Sequence, residues 1–538
     1  TDINYNSSNS LTLTAFRNIE MNSGINNSGT GGLNFNSGGT TNINTTSAIQ
    51  AGGDVAFNNN VVLTQNANIS STAGALNFLG TINGANQLTA AGSSVTFSQA
   101  IGNSTALSAL DVSGATNING GTVTTTGTQT YNGAVLLGAA TTFNTTNSNV
   151  LFNSTLNTTS AQNLTINAGS GDITFNDRIG AINFQPGVTN LNSTGITSFN
   201  GSLNYFTSLT TNAGGTTQIN GGGLFSASGN ITINDDLVVN NAVNNMQSSS
   251  GGTITLNAIS GDGAGGLQVG AFGGGQIILN GPIAGATPLL VFTTQGPTTI
   301  NTDTITTSGT QSYVGAITLN NNITMTGSSI VFNNGGLNGA FDLTLTANTV
   351  TLGNIGNLTP LNSLTINGSA QSIGSTIAAV GDILVNGNSL NIDSNLTITS
   401  STGSITLPSI TATFGKTVGI TLNGNTGVTF GNNVGSVSTP LSFLTVNGPT
   451  TITGIGGQIR TSGTQTYNGA VTLDQSVDMI SSAGSIIFAS TLDGPHSLTL
   501  NANTGVSLGG IIGGISALNS LNITGATTIS GGAITTTG

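Results

Sequence analysis

Gly463-Thr-Gln-Thr-Tyr467-Asn-Gly469-Ala-Val471-Thr-Leu473 is the stretch that most strongly indicates the architecture, because the chain repeats it along its length. The closest copies run from Gly127 to Val135 and from Gly309 to Leu319. Weaker copies begin at three further glycines, Gly53, Gly229 and Gly381. Each weaker copy keeps an apolar or aromatic residue four places after the glycine, followed by Asn. A recurring but elastic spacing of this kind is typical of a repeat architecture.

The repeats organise almost the whole chain. Residues 1–52 are interpreted as coils that lead into the repeats, and residues 53–538 as one continuous array of six irregular repeats of 72–102 residues. These repeats start near residues 53, 127, 229, 309, 381 and 463. Because the residues before Gly538 match those before Gly127, a seventh copy is expected to start there. The sequence therefore predicts an interior fragment of a longer protein.

The composition favours an ordered all-β chain over a disordered one. The 538 residues include 80 Gly, and only 4% of the residues are charged. Hydrophobic residues make up 36% and are spaced along the chain, so the high-charge, low-hydrophobicity signature of a disordered coil is missing.

Short alternating segments predict short strands. In the last repeat, Leu498-Thr-Leu500 and Val506-Ser-Leu508 place apolar residues at every second position, which is the strand period. Glycine and asparagine clusters separate these segments, as they do at tight turns. Sandwiches, propellers and solenoids all fit such strands, but the variable repeat length disfavours a propeller, whose blades have a fixed length.

We therefore predict a right-handed parallel β-helix (a β-solenoid) shaped as an elongated rod. Coils of about 19–25 residues would give three or four coils in each repeat. The whole chain would form about 22–28 coils and a length on the order of 100–135 Å. The long repeat from 127 to 229 is expected to hold an additional coil around Phe184-Gln-Pro-Gly187.

The residues resemble a known family. The opening Leu11-Thr-Leu13-Thr-Ala-Phe16-Arg17-Asn18-Ile19 and the Gly-Thr-Gln-Thr-Tyr-Asn-Gly-Ala-Val repeats are similar to the repeat regions of large bacterial exoproteins of the filamentous-haemagglutinin type. The resemblance implies export through an outer-membrane transporter, folding outside the cell as a long right-handed β-helix, and a role in adhesion. It covers essentially the whole chain.

The charge inventory disfavours several partners. The four cations are Arg17, Arg178, Lys416 and Arg460, and the net charge is −12. Four scattered cations cannot build a phosphate-binding patch, so nucleic acid and anionic membranes are poor partners. The chain has no cysteine, which excludes disulfides and thiolate metal sites.

A few residues are weak candidates for catalysis. His496 is the only histidine and is expected in an exposed turn. Asp235 and Asp236, and the cluster of Asp172, Asp177 and Arg178, could serve a sugar-cleaving enzyme, which uses paired carboxylates. Surface or turn positions are the favoured interpretation of these acidic residues, with Arg178 and Asp177 forming an exposed ion pair.

Three other patterns also have a functional and a structural interpretation. Gly261-Asp262-Gly263-Ala-Gly265-Gly266 resembles a calcium-binding turn, but one carboxylate is too few for such a site. Lys416 is the only lysine and lies outside any phosphate-binding pattern. Tyr131, Tyr313 and Tyr467 could stack on sugars, but Phe57, Ile233 and Val385 hold the same place in other repeats. Apolarity is what these residues share, so core packing is favoured.

The sequence leaves three alternative functions to be tested. The favoured one is a non-enzymatic adhesin or structural stalk, extracellular or on a bacterial surface, that binds an unknown surface, glycan or cell receptor through its amide side chains. The second is a building block of an extracellular filament or sheath, formed by self-association. The third is a β-helical polysaccharide-active enzyme, which would depend on Asp235 or Asp236. No catalytic, cofactor-binding or metal-binding residue is assigned.

Overall fold

The computed structural model describes residues 1–241, 244–285, 287–333, 335–454 and 457–538. Over these residues the chain forms strands and turns and no helix, so the predicted all-β class is confirmed. The chain divides into two compact units. The first contains Thr1–Ile277 and Gly285–Leu289, and the second contains Ile278–Ala284 and Leu290–Gly538.

The first unit contains strands of two to eleven residues. In chain order they are β1 (Ile3–Tyr5), β2 (Leu11–Ala15), β3 (Ile19–Met21), β4 (Ile25–Asn27), β5 (Leu33–Ser37), β6 (Thr40–Ile43), β7 (Ile49–Ala51), β8 (Val55–Phe57), β9 (Asn60–Leu63), β10 (Ala67–Ser71), β11 (Leu76–Phe78), β12 (Ile82–Asn83), β13 (Gln87–Phe97), β14 (Ala109–Ile118), β15 (Thr122–Thr124), β16 (Gln129–Tyr131), β17 (Val135–Leu137), β18 (Thr141–Asn144), β19 (Val150–Phe152), β20 (Leu156–Thr158), β21 (Leu164–Gly169), β22 (Ile173–Phe175), β23 (Val188–Ser193), β24 (Ile196–Phe199), β25 (Leu203–Phe206), β26 (Ser208–Thr211), β27 (Thr216–Ile219), β28 (Leu224–Ala227), β29 (Ile231–Ile233), β30 (Asp236–Val239), β31 (Asn244–Ser248), β32 (Ile254–Leu256), β33 (Ile259–Gly261) and β34 (Gly266–Ala271).

The chain passes into the second unit within β35 (Ile277–Leu279). The strands that follow are β36 (Val291–Gln295), β37 (Thr298–Ile300), β38 (Thr304–Thr306), β39 (Thr310–Val314), β40 (Ile317–Leu319), β41 (Ile323–Thr326), β42 (Ser329–Asn333), β43 (Leu337–Asn338), β44 (Asp342–Leu352), β45 (Ser363–Ser372), β46 (Thr376–Ala379), β47 (Ile383–Val385), β48 (Ser389–Ile392), β49 (Leu396–Ser400), β50 (Ser404–Leu407), β51 (Ser409–Ala412), β52 (Ile420–Gly424), β53 (Gly427–Phe430), β54 (Leu444–Asn447), β55 (Thr450–Ile452), β56 (Gln458–Thr461), β57 (Gln465–Tyr467), β58 (Val471–Leu473), β59 (Val477–Ser481), β60 (Ser485–Phe488), β61 (Leu492–Asp493), β62 (Ser497–Ala502), β63 (Gly505–Leu508), β64 (Ser520–Thr524) and β65 (Thr527–Ile529).

Each unit is a parallel β-helix with three strands in a coil. In the first unit β8, β9 and β10 make one coil, and each pairs in parallel with a strand of the next coil, β11, β12 and β13. Leu76 pairs with Val95 and Leu164 with Thr189, so the paired strands of successive coils are 19 to 25 residues apart, as predicted. The described coils of the two units number about 25 in all.

Alternation of inward and outward residues fills the interior with columns of identical or similar side chains. Phe35, Phe57, Phe78 and Phe97 lie one above another in successive coils, with ring centroids 4.5, 5.1 and 5.4 Å apart and nearly parallel planes. All four rings are buried. Because parallel coils stack residues of equal depth, one aromatic residue per coil is enough to build a continuous stack.

The tyrosines of the repeated stretch are core residues, as predicted. Tyr131, Tyr313 and Tyr467 are each 0% exposed. Their rings stack on Phe152, Phe332 and Phe488 of the next coil at centroid distances of 5.1, 5.3 and 5.0 Å. Phe57, Ile233 and Val385, which hold the same place in the weaker copies, are also buried.

The glutamine of the repeated stretch is buried with the tyrosine. The Tyr467 hydroxyl donates to Gln465 Oε1 at 3.3 Å, and Gln465 Nε2 donates to the carbonyl oxygens of Ile459 and Ile480 at 3.2 and 2.9 Å. Gln129 and Gln311 make the equivalent bonds in their repeats. Since unpaired buried polar groups are costly, this glutamine–tyrosine pair explains why the strong copies keep both residues together.

The glycine two residues after each tyrosine of the repeated stretch lies where the backbones of two coils approach closely. A Cβ atom at Gly469 would overlap the carbonyl oxygen of Gly448, and one at Gly133 would overlap that of Gly114. At this corner only glycine allows the backbones to lie one above the other.

Successive repeats begin on different sides of the coil. In the first unit Phe57 pairs with Phe35, whereas Tyr131 pairs with Val112 in a second column, and Ile233 pairs with Leu256 in the third. In the second unit Tyr313, Val385 and Tyr467 likewise lie in three different columns, paired with Phe332, Ile366 and Val446. A repeat is therefore not a whole number of coils.

The long repeat contains one additional coil, as the sequence predicts. Between residues 127 and 229 the column of Tyr131 continues through Phe152, Phe175, Phe199 and Ile219. Between residues 53 and 127 the column of Phe57 continues only through Phe78, Phe97 and Ile118. Insertion of a whole coil leaves every side of the following coils in register.

Candidate binding surface

One side of the coil in the first unit follows the sequence pattern apolar-Thr-apolar-Asn, which is complete in β21, β29 and β32. In β18, β23 and β26 a buried threonine (Thr141, Thr189 or Thr211) takes the place of one apolar residue, and in β23 Asn190 takes the place of the outward threonine. The strand period turns the first and third residues of the pattern inward and the second and fourth outward. We call the outward residues of β18, β21, β23, β26, β29 and β32, with the asparagine that ends each pattern, the threonine–asparagine face. Its members are Thr142, Asn144, Thr165, Asn167, Asn190, Asn192, Thr210, Asn212, Thr232, Asn234, Thr255 and Asn257.

Parallel pairing aligns these residues in two columns. Thr142 lies beside Thr165, Thr210 beside Thr232, and Thr232 beside Thr255. Neighbouring strands are about 4.8 Å apart, so each column repeats at that interval. Within one strand the two columns lie two residues apart, or about 6.6 Å.

The two columns differ in how much hydrogen-bonding capacity they retain. Asn167 Nδ2 donates to Asn144 Oδ1 at 2.8 Å, and Asn192 Nδ2 donates to Asn167 Oδ1 at 2.7 Å. In contrast, within the described chain no protein group bonds to the side-chain hydroxyls of the five threonines. A hydroxyl can donate one hydrogen bond and accept two, so this column offers unused hydrogen bonds at five of its six coils, with Asn190 in the other.

A comparable face occurs in the second unit. Thr397, Thr421, Thr445 and Thr466 pair in one column. Beside them, Asn423 Nδ2 donates to Thr399 Oγ1 at 3.0 Å, and the ladder continues through Asn447 and Asn468 at 2.7 and 2.6 Å. The same sequence pattern thus gives the same surface in both units.

A second ladder follows a corner of the first unit. Asn132 Nδ2 donates to Asp111 Oδ1 at 2.9 Å. Asn153, Asn176, Asn200, Asn220 and Asn240 then each donate to the asparagine one coil before, at 2.7 to 2.8 Å. Asn132, Asn153, Asn176, Asn200 and Asn220 each donate one hydrogen bond and accept one in this ladder, and Asn240 ends it as a donor.

Asp235 and Asp236 do not form a pair of surface carboxylates. Asp235 is buried at the bend before β30, where it accepts hydrogen bonds from the Gly215 N–H at 3.0 Å and the Thr217 hydroxyl at 2.9 Å. Burial raises the pKa of the Asp235 carboxyl, although these hydrogen bonds oppose the rise. Asp236 is exposed. The expected surface or turn positions agree with the structure, since Asp236 is on the surface and Asp235 lies at a bend, although the bend turns the Asp235 side chain inward.

The predicted ion pair of Asp177 and Arg178 is also wrong. Asp177 accepts a hydrogen bond at 2.7 Å from the backbone N–H of Arg178 rather than from its guanidinium group. Asp172 precedes β22, whereas Asp177 follows it, and Asp172 accepts a hydrogen bond from the Ile196 N–H at 2.8 Å. In the part of the chain that the structure describes, the one ion pair joins Lys416 Nζ to Asp393 Oδ2 at 4.0 Å.

Asp262 stabilises a turn. It accepts hydrogen bonds from the backbone N–H groups of Asn241, Ala264 and Gly265 at 2.7, 3.0 and 2.7 Å. These donors lower the pKa of its carboxyl. Asp262 therefore closes a turn within the Gly261–Gly266 segment, where the sequence predicts one. His496 lies in a turn before β62, partly exposed.

Among the described residues, no group of three or more acidic or histidine side chains is close enough together to hold a metal ion. The same residues include no helix with the length and apolarity to span a membrane. Comparison with known proteins gives no match to a family model, to a curated protein or to a solved structure.

The threonine–asparagine face is not predicted from the sequence alone, although its repeating pattern is visible there. Asn163-Leu-Thr-Ile166-Asn and Ile254-Thr-Leu256-Asn are visible as recurring strands. Their outward residues become one surface only when the coil length places them above each other.

Proposed function

We propose that this chain is a non-enzymatic β-helical adhesin or structural stalk, extracellular or on a bacterial surface, that serves in attachment. The observation that carries the proposal is the outer surface of each unit, where hydroxyl and amide side chains form long regular columns over a closed apolar core. Such a surface offers many weak polar contacts along a rigid scaffold rather than one deep site, which suits attachment to an extended partner.

The positions of the acidic residues support a binding role over hydrolysis. A carboxylate pair that cleaves glycosidic bonds needs both groups beside the same bond. Asp235 points into the coil and Asp236 points out of it, so these two residues give no support to a polysaccharide-cleaving enzyme.

The resemblance to exoproteins of the filamentous-haemagglutinin type adds export through an outer-membrane transporter to the proposal. It rests on the repeated Gly-Thr-Gln-Thr-Tyr-Asn-Gly-Ala-Val stretch, and the parallel β-helix agrees with it.

Attachment assays test this function. Bacteria that display the full protein should attach to surfaces or host cells, and deletion of residues 53–538 should reduce attachment severalfold. Purified chain added in solution should compete. Equal attachment by displaying and deleted strains on every surface tried would refute the adhesive role.

A building block of a filament or sheath is the second candidate, favoured by exposed apolar side chains. Leu358, Val437 and Ile515 are 81%, 79% and 94% exposed. Each lies three residues after a buried aliphatic residue that bridges two coils (Ile355, Val434 and Ile512). Light scattering of purified chain tests this candidate: growth of large particles with concentration would support it, and a constant monomer mass would refute it.

A further inference from the structure

We propose that the threonine–asparagine face binds an extended, neutral polysaccharide that lies along the stack of coils. This inference rests on the proposed adhesive function and names its ligand class. The face of the second unit formed by Thr397, Thr421, Thr445 and Thr466 is inferred to bind the same class of ligand.

Charge selects a neutral ligand. The chain carries a net charge of −12, yet none of the twelve residues of the face is ionisable. An anionic polymer would meet no cation there and would be repelled by the remainder of the protein. A cationic polymer would meet no carboxylate on the face itself.

The unused hydrogen bonds select a hydroxyl-rich ligand. The threonine hydroxyls have no protein partner within the described residues, whereas each asparagine of the ladder keeps part of its amide free. Hydroxyl and amide groups both donate and accept, as sugar hydroxyls do. Each threonine also carries a methyl group, which can contact the C–H edges of a sugar ring.

The spacing selects an extended chain. The columns repeat every 4.8 Å or so along the stack, a step comparable to that of one sugar ring in an extended polymer. A chain that follows the stack can therefore present one ring to each coil. The face runs through six paired strands, β18, β21, β23, β26, β29 and β32, so about six rings can bind together.

The face has no aromatic side chain on which a sugar could stack. The rings of the nearby strands lie inside the coil, where Tyr131 stacks on Phe152 and Phe152 on Phe175. Each coil therefore contributes only weak polar contacts, and useful affinity needs many coils at once. Binding should depend steeply on the length of the ligand.

Two measurements on the full chain test the proposal. The first is sedimentation with insoluble neutral β-glucan and with an anionic control, alginate. The second is titration with neutral gluco-oligosaccharides of one to eight rings. We expect binding to the neutral polymer, at least tenfold less binding to alginate, no detectable binding of one or two rings, and affinity that rises up to about six rings.

Hydroxyl-removing variants locate the site. Thr165→Val, Thr210→Val and Thr232→Val together should weaken binding severalfold, and adding Thr397→Val, Thr421→Val and Thr445→Val should abolish it. Thr174→Val, which changes an outward residue of β22 on another side of the coil, is the matched control and should bind as wild type. Unchanged far-ultraviolet circular dichroism and thermal midpoints would establish that the variants fold.

The outcomes separate this proposal from the adhesive function. Normal polymer binding by the six-residue variant, or tighter binding to alginate, would overturn the proposed face. Attachment of displaying bacteria without any binding to neutral polymers would overturn the ligand class while leaving the adhesive function standing. Loss of attachment in the well-folded six-residue variant would support both.

Discussion

The buried glutamine–tyrosine pair gives the sharpest prediction. Gln465→Leu removes the acceptor of the Tyr467 hydroxyl and the donor to the carbonyl oxygens of Ile459 and Ile480. The Tyr467 hydroxyl would lose its hydrogen-bond acceptor, Gln465 Oε1, and an unsatisfied buried polar group costs about 1–3 kcal/mol. The carbonyl oxygens of Ile459 and Ile480 would also lose the hydrogen bonds from Gln465 Nε2. We therefore expect Gln465→Leu to lower the free energy of unfolding by about 3 kcal/mol in total.

A second substitution should recover part of that loss. Tyr467→Phe removes the orphaned hydroxyl, and the copy at Gly381 already has apolar residues, Ile383 and Val385, in both places. We therefore expect Gln465→Leu with Tyr467→Phe to be more stable than Gln465→Leu alone by about 1–2 kcal/mol. Tyr467→Phe alone should cost about 1 kcal/mol, because it leaves Gln465 Oε1 without its donor.

The assay is a double-mutant cycle in which urea unfolding is monitored by circular dichroism. Hydrogen exchange in β57 and β58 then shows where stability is lost. Thr466→Val, an outward neighbour, is the control and should change stability by less than about 0.5 kcal/mol. If the double variant loses the sum of the two single losses, the two residues do not act as a pair and the reasoning is refuted.

Three further predictions concern the coil and its core. Residues 176–199 make up one whole coil, because Phe175 pairs with Phe199. Deletion of these residues should leave the circular dichroism spectrum of the folded protein unchanged. Deletion of 188–199 removes only two sides of that coil and should unfold the region. Phe57→Ala should cost about 3–5 kcal/mol in urea unfolding because its ring is buried in a stack, while Phe16→Ala, at a residue that is 95% exposed, should cost less than about 0.5 kcal/mol; equal losses would contradict the assignment of the core. Because burial raises the pKa of Asp235 above its usual 3.8, its contribution to stability is fully present below pH 3.8 and is lost as pH rises through the raised value. Thermal midpoints measured between pH 3 and pH 7 should therefore fall less steeply for Asp235→Asn than for the wild type. Identical pH profiles of the two proteins would contradict this prediction.

Much of the fold follows from local patterns in the sequence. Alternation in segments such as Leu498-Thr-Leu500 predicts strands whose apolar residues face inward, and the structure places Leu498 and Leu500 in the core. The equivalence of Tyr131, Tyr313 and Tyr467 with Phe57, Ile233 and Val385 predicts an interior position for all six, because only burial is compatible with both aromatic and aliphatic residues.

Other features depend on information that local patterns do not contain. Asp235 follows Ile233 at a bend, and alternation cannot say which residue of a bend points inward. Each repeat begins on a different side of the coil because a repeat is not a whole number of three-sided coils. That difference depends on the exact length of every coil, which local patterns do not give. The threonine–asparagine face joins residues such as Thr142 and Thr165, which become neighbours only through the exact length of the coil between them.

The most direct test of the account is a set of distances between outward residues of the first unit. The chain has no cysteine, so spin labels can be attached to Thr142→Cys together with Thr210→Cys, Thr232→Cys or Thr255→Cys. Because these partners lie three, four and five coils from Thr142 by the pairing of the strands, pulsed electron resonance should give distances that increase by about 4.8 Å from each pair to the next. Distances that stay constant, or that grow in steps unrelated to the coil, would contradict a stack of parallel coils.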